Sequence, residues 1–111
     1  MDKRYIPRHM AGPLRRALLT FPVVVLGGAR QVGKSCMLTS EKALKGREYR
    51  TVDDPSVSLP LRSNADAYLG QFRRVTLDEA QREPELFLAL KRLVDTDRTA
   101  GRYLVSGSAQ F

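Results

Sequence analysis

The chain has 111 residues, about one domain's worth, and is 42% hydrophobic and 28% charged, which excludes collagen and a disordered acidic tail. Nineteen Lys and Arg against 12 Asp and Glu give +7, a surplus that draws phosphate backbones but that a modestly basic globular protein also carries. The longest apolar run, Phe21 to Leu26, falls far short of the roughly 20 residues that cross a bilayer, and no apolar stretch follows Lys3, Arg4 and Arg8 as in a secretory signal.

Pro13 is expected to open a short amphipathic helix with Leu14, Ala17 and Leu18 on one face and Arg15 and Arg16 outside. Phe21 to Leu26 (FPVVVL) is β-branched and apolar on both faces, the pattern of a central parallel strand. Lys34 to Leu44 reads as a helix closed by Gly46. Glu48 to Val52 reads as a second strand, stopped by Asp53-Asp54-Pro55. The stretch to about Asn64 is expected to be loop, followed by a weak helix over Ala65 to Phe72. Arg74 to Leu77 makes a third strand that runs into Asp78 and Glu79. Pro84 starts the clearest helix, with Leu86, Leu90, Leu93 and Val94 as its apolar stripe and Gly101 as its end. Arg102 to Val105 is a fourth strand. Strands alternating with helices predict an α/β fold with a mainly parallel sheet.

The strongest chemical signal is Gly28-Ala29-Arg30-Gln31-Val32-Gly33-Lys34-Ser35, which fits GxxxxGK[ST] between a predicted strand and a predicted helix. Gly28 and Gly33 allow the close backbone approach that a Cβ would block, so successive N–H groups can form a nest for phosphate oxygens. The following helix N-terminus adds its positive dipole end. Lys34 would reach the β- and γ-phosphates, and the Ser35 hydroxyl would ligate Mg²⁺. Asp78 ends an apolar strand, where ligands collect in a doubly wound sheet, and is expected to hold Mg²⁺ directly or through water. Glu79 would orient and polarise an attacking water, a role that a hydrolase needs and a small-molecule kinase does not.

Ser106-Gly107-Ser108 follows the fourth strand, where a hydroxyl could touch a γ-phosphate, although an ordinary Ser/Gly turn fits the same letters. Asp53-Asp54-Pro55 could edge the site, but Asp-Pro is also a common turn opening. Cys36 cannot form an internal disulfide and reads as a small helix residue, which fits a cytoplasmic location. His9 has no partner that the sequence identifies. With Cys36 it makes up all the His and Cys, so a four-ligand His/Cys metal cluster is impossible.

The stretches VVVLGGARQVGKS, TVDDP, VTLDEAQREPEL, ALKRLVD and YLVSGSA, with YIPRH near the start, together resemble a bacterial and archaeal family of AAA-type P-loop ATPases. In that family a strand runs into G-P-R-Q-V-G-K-T. Here Gly27 stands where Thr is frequent, Ala29 replaces Pro, Ser35 replaces Thr and Cys36 replaces a second Thr. Serine keeps the hydroxyl for the metal, and Cys36 keeps its backbone N–H toward an α-phosphate.

The resemblance implies a P-loop NTPase-like sheet of order 1-4-3-2, with a fifth strand beside strand 1 missing. It implies a lead-in over residues 1–20 and a partial AAA-type ATP-binding core over residues 21–111. It assigns residues 28–35 as Walker A, residues 75–79 as Walker B and Ser106 or Ser108 as the sensor, with Mg²⁺-dependent ATP binding and hydrolysis as the activity. Gly28 to Cys36 would contact the nucleotide, and Arg30 would brace the loop or a neighbouring subunit. The helical lid and C-terminal domain of the family are not found, so a piece of a longer protein is expected. Strand 1 would then be an exposed edge open to self-association. The alternatives are a non-catalytic nucleotide-binding module and a nucleic-acid-interacting one. A helicase core, suggested by Asp78-Glu79-Ala80-Gln81, is disfavoured by the short separation of Lys34 from Asp78.

Overall fold

The computed structural model describes residues 8–26 and 46–107. The predicted helix over 34–44 and the phosphate-loop residues lie outside them. In chain order the described elements are α1 (Arg8–Thr20), β1 (Val23–Leu26), β2 (Glu48–Thr51), α2 (Pro55–Gly70), β3 (Val75–Asp78), a 3₁₀ turn (Ala80–Arg82), α3 (Glu85–Thr96) and β4 (Tyr103–Ser106). The strands form one sheet in the order β1-β4-β3-β2, every pair parallel, so the expected α/β architecture and the 1-4-3-2 order are present.

Side chains of successive strand residues alternate between faces, which gives the sheet two unequal layers. On one face Val75, Leu77, Tyr103 and Val105 pack with Val57, Leu61, Leu69, Leu86, Ala89 and Leu90 of α2 and α3. On the other, Leu104 packs with Leu14 and Leu18 of α1, flanked by Val24, Leu26 and Tyr49. The helix faces expected for Leu14, Leu18, Leu86 and Leu90 are therefore the buried ones.

The strands shift by one or two residues from expectation, and three helix boundaries differ by more. The first helix begins at Arg8, and Pro13 lies inside it rather than at its start. Residues 55–64 are helix, not loop. The Asp54 side chain accepts the Ser56 N–H at 2.9 Å, Pro55 occupies the first turn, and Val57, Leu61, Ala65 and Leu69 bury a stripe at four-residue spacing. The expected start at Ala65 survives as a kink. Asn64 leaves helical geometry (φ −159°, ψ 83°), and its side chain accepts the Ala67 N–H at 3.1 Å, capping the second half anew. Finally, α3 ends at Thr96, and Gly101 belongs to the entry of β4.

Gly101 is tightly constrained. Its φ is +75°, its N–H donates to the Phe21 carbonyl at 2.8 Å, and a Cβ there would sit 2.6 Å from the Leu18 carbonyl oxygen. The glycine thus lets α1 and the start of β1 close against β4. Gly101→Ala is expected to destabilise the domain by about 1–3 kcal/mol, because it adds left-handed strain and a backbone clash. Thermal unfolding should register the loss as a lowered midpoint, and an unchanged midpoint would contradict it.

Candidate active site at the carboxyl ends of the strands

The parallel register decides which side chains meet. Thr51 pairs with Asp78, and Leu77 with Val105, so Tyr49, Asp78 and Ser106 project on the α1 face near the carboxyl ends of neighbouring strands. Asp78 is 4% exposed. A carboxylate buried that deeply needs partners, since an uncompensated buried charge costs several kcal/mol. Ser106 Oγ donates to Asp78 Oδ1 at 2.8 Å, the Glu79 N–H donates to the same oxygen at 2.9 Å, and Tyr49 OH donates to Oδ2 at 2.9 Å. Donors from β2, β4 and the turn after β3 therefore converge on one carboxyl group.

Glu79 follows at φ 56°, the one non-glycine residue with positive φ among those described. Its left-handed backbone turns the chain out of the sheet into the 3₁₀ turn, a conformation that costs of order 1–3 kcal/mol and clusters at functional sites. Gln81 Nε2 donates to Glu79 Oε1 at 2.9 Å, and Arg82 Nε lies 4.0 Å from the same oxygen and 2.8 Å from Asp53 Oδ1. A carboxylate can only accept, so this contact fixes the Gln81 amide orientation. Gln81 Oε1 is then left buried without a hydrogen-bond partner.

The structure thus brings Asp78 and Ser106 into direct contact and places Glu79 beside them. Asp53 reaches the edge of the site through Arg82, whereas Asp54 serves as the cap of α2. Gly28, Ala29, Arg30, Gln31, Val32, Gly33, Lys34, Ser35, Cys36 and Ser108 lie outside the described residues. Tyr49 was not singled out from the sequence, and Gln81 was named only within Asp78-Glu79-Ala80-Gln81, without a role of its own. Gln81 could have been found from its two-residue spacing after Glu79. Tyr49 could not, because its meeting with Asp78 depends on a strand register that the letters do not specify.

The donor chemistry here is hard oxygen, which suits Mg²⁺. No group of three or more His, Cys, Asp or Glu side chains able to hold a metal occurs among the described residues. Mg²⁺ is commonly held by one or two carboxylates together with substrate phosphates and water, so the residues fit an ion that arrives with a nucleotide. No helix among the described residues is long and apolar enough to cross a membrane.

A family described as AAA domain matches residues 20–111, and the chain belongs to that family of AAA-like P-loop NTPases, which carries nucleotide-binding, ATPase-like function. Two relatives are each 40% identical over 104 residues: the uncharacterized protein Mb2031c of Mycobacterium bovis and the uncharacterized protein Rv2008c of Mycobacterium tuberculosis. Each alignment covers 92% of this chain and 23% of the relative, so the chain spans about a quarter of their length. No solved structure matches the chain at comparable significance.

Removing a donor from Asp78 leaves a buried acceptor short of a partner, at about 1–3 kcal/mol each. Tyr49→Phe and Ser106→Ala are both expected to lower stability in denaturant unfolding. Because both act on one carboxyl group, the double variant should depart from the sum of the two losses. Strict additivity would show that the two contacts are energetically separate.

Proposed function

We propose that the chain binds ATP with Mg²⁺ and hydrolyses it, with Gly28 to Ser35 as Walker A and residues 75–79 as Walker B. The observation that carries this reading is the contact of Asp78 with Ser106 at the carboxyl edge of a parallel sheet, next to the end of β1. Leu26, the last residue of β1, is the register partner of Ser106. The segment carrying GxxxxGK[ST] starts just two residues later in the sequence. In open parallel sheets ligands collect outside the carboxyl ends of the strands.

In this reading the backbone N–H groups of residues 28–36 hold the phosphates, and Lys34 supplies a point charge to the β- and γ-oxygens. Ser35 and Asp78 hold the metal, which neutralises charge on the transferring phosphoryl group when bound. Glu79 orients the water, aimed by its left-handed backbone and held by Gln81. Ser106 steadies Asp78 with its one O–H, which leaves Ser108 as the residue that senses the γ-phosphate. A cytoplasmic location belongs to the same proposal.

The proposal extends to assembly. Among the described strands β1 is an edge, and Phe21 and Val25 on or next to it are 55% and 49% exposed. An apolar edge of this kind pairs readily with a second copy. Sedimentation velocity is expected to show a species heavier than the monomer as concentration rises, and a clean monomer throughout would refute the pairing.

Isothermal titration with Mg-ATP tests the site. Lys34→Ala is expected to abolish binding, and Glu79→Gln to keep binding while losing phosphate release. Equal affinity in wild type and Lys34→Ala would overturn the Walker A assignment. Full turnover in Glu79→Gln would remove Glu79 from its role. Without nucleotide, Mg²⁺ alone should give no resolvable heat.

A further inference from the structure

The opposite edge of the sheet, where β2, β3 and β4 begin, carries a second set of features that nucleotide chemistry does not use. A hollow of about 390 Å³ opens there between the end of α1 and the strand entries, lined by Arg15, Leu18, Arg47, Arg74 and Gly101. A second, of about 470 Å³, opens on the other side of the same edge, lined by Phe72, Arg73, Asp97, Thr99 and Arg102. Consecutive residues entering a strand point to opposite faces, and Arg73 and Arg74 accordingly serve one hollow each.

We propose that this edge binds the phosphodiester backbone of a nucleic acid, with Arg74 and Arg15 contacting phosphates on one side of the edge and Arg73 on the other.

Charge balance supports it. Among the described residues no acidic side chain lines the first hollow, and neither Arg15 nor Arg74 makes an ion pair. The one carboxylate of the second, Asp97, is taken up by Arg102 at 2.7 Å and by Thr99 at 2.6 Å. Arg47 is fixed as a positive floor. Its guanidinium donates to Thr76 Oγ1 at 3.0 Å, the Gly101 carbonyl at 2.7 Å and the Val75 carbonyl at 2.8 Å, all neutral acceptors. Burial, and then the charge of Arg74, push its pKa down to about 10. The like charges therefore lack a counterion within the described structure, and a phosphate would provide one.

The form of the edge favours a polymer over a single anion. Both hollows are open to solvent, so neither encloses a lone ion in the desolvated surroundings that would bind it tightly. Arg73 and Arg74 are both exposed and line hollows on opposite sides of the edge, so a strand lying across the edge meets one guanidinium on each side. Contacts to phosphate alone carry no sequence information, so binding without sequence preference is expected.

The test is fluorescence anisotropy of a labelled single-stranded DNA of about 20 nucleotides, without ATP, between about 50 and 200 mM salt. Wild type is expected to bind at low salt and to weaken steeply as salt rises. The Arg73→Ala/Arg74→Ala double variant should weaken binding at least about tenfold and flatten the log–log salt slope by about 1.4, two contacts at about 0.7 each. These side chains are exposed, and an unchanged thermal midpoint will show that the fold persists; if it falls, Arg15→Ala alone provides the same comparison. Lys34→Ala should bind DNA as wild type does, which separates this edge from the phosphate loop. No binding at the lowest salt, an unchanged slope in the double variant, loss of binding in Lys34→Ala, or full competition by micromolar pyrophosphate would each overturn the proposal.

Discussion

The carboxyl group of Asp78 is the constraint on which the described structure turns. At the end of β3 it is almost fully buried, and among the described residues its donors come from three separate places: Tyr49 on β2, Ser106 on β4 and the backbone N–H of Glu79. Slipping β2 or β4 by two residues would keep the apolar side chains on their faces but carry Tyr49 or Ser106 away from the carboxyl group, which would lose a donor in a dry site. The polar contact thus selects one register from those that an apolar core alone would tolerate. The contacts that fix the position of this one oxygen pair thus also hold the scaffold in register.

A parallel sheet has two chemically different edges, and this chain treats them differently. At the carboxyl edge acidic and hydroxyl groups meet. At the amino edge arginines close the structure: Arg47 donates to carbonyls at the entries of β3 and β4, and Arg102 donates to the carbonyls of Gly70 and Phe72 at the end of α2. A guanidinium offers five donors in a rigid fork, enough to satisfy several loop carbonyls at once. Lysine could not replace that geometry with three donors on one atom. The positive charge of the amino edge is therefore partly a by-product of loop closure. Arg15, Arg73 and Arg74 exceed what closure requires.

Much of this was legible in the letters. The apolar run FPVVVL ending on glycines and the short stretches EYRTV, RVTL and RYLV marked the four strands, and the resemblance to AAA-type P-loop ATPases carried the 1-4-3-2 order. Asp78 and Ser106 were readable because each ends a strand. The misread parts have physical causes. Residues 55–64 are rich in Ser and Pro, which signal loop, yet the Asp54 cap and the buried stripe of Val57 and Leu61 outweigh that propensity. Pro13 reads as a helix start because proline suits the first turn, whereas Leu14 and Leu18 anchor the helix to the sheet strongly enough to hold it in the interior. Tyr49 escaped notice because an aromatic in a strand looks like core. Its ring does pack against the α1 side, and only the hydroxyl at its tip belongs to the site.

The turn after β3 is where local rules are broken most, and the breaks are adjacent. Glu79 holds a left-handed backbone that glycine would adopt more cheaply, and Gln81 buries an amide oxygen with no donor. Glycine at position 79 would relieve the strain but would remove the carboxyl group, and an apolar residue at 81 would remove the orphaned oxygen but also the donor that holds Glu79 Oε1. Both defects thus trace to a single requirement, that a carboxylate stand just past the strand end and be held there. A turn optimised for stability alone would carry neither. Fold stability accounts for Asp78 and the donors described around it, whereas the strain at Glu79 and the orphaned oxygen of Gln81 are what the role proposed for Glu79 would require.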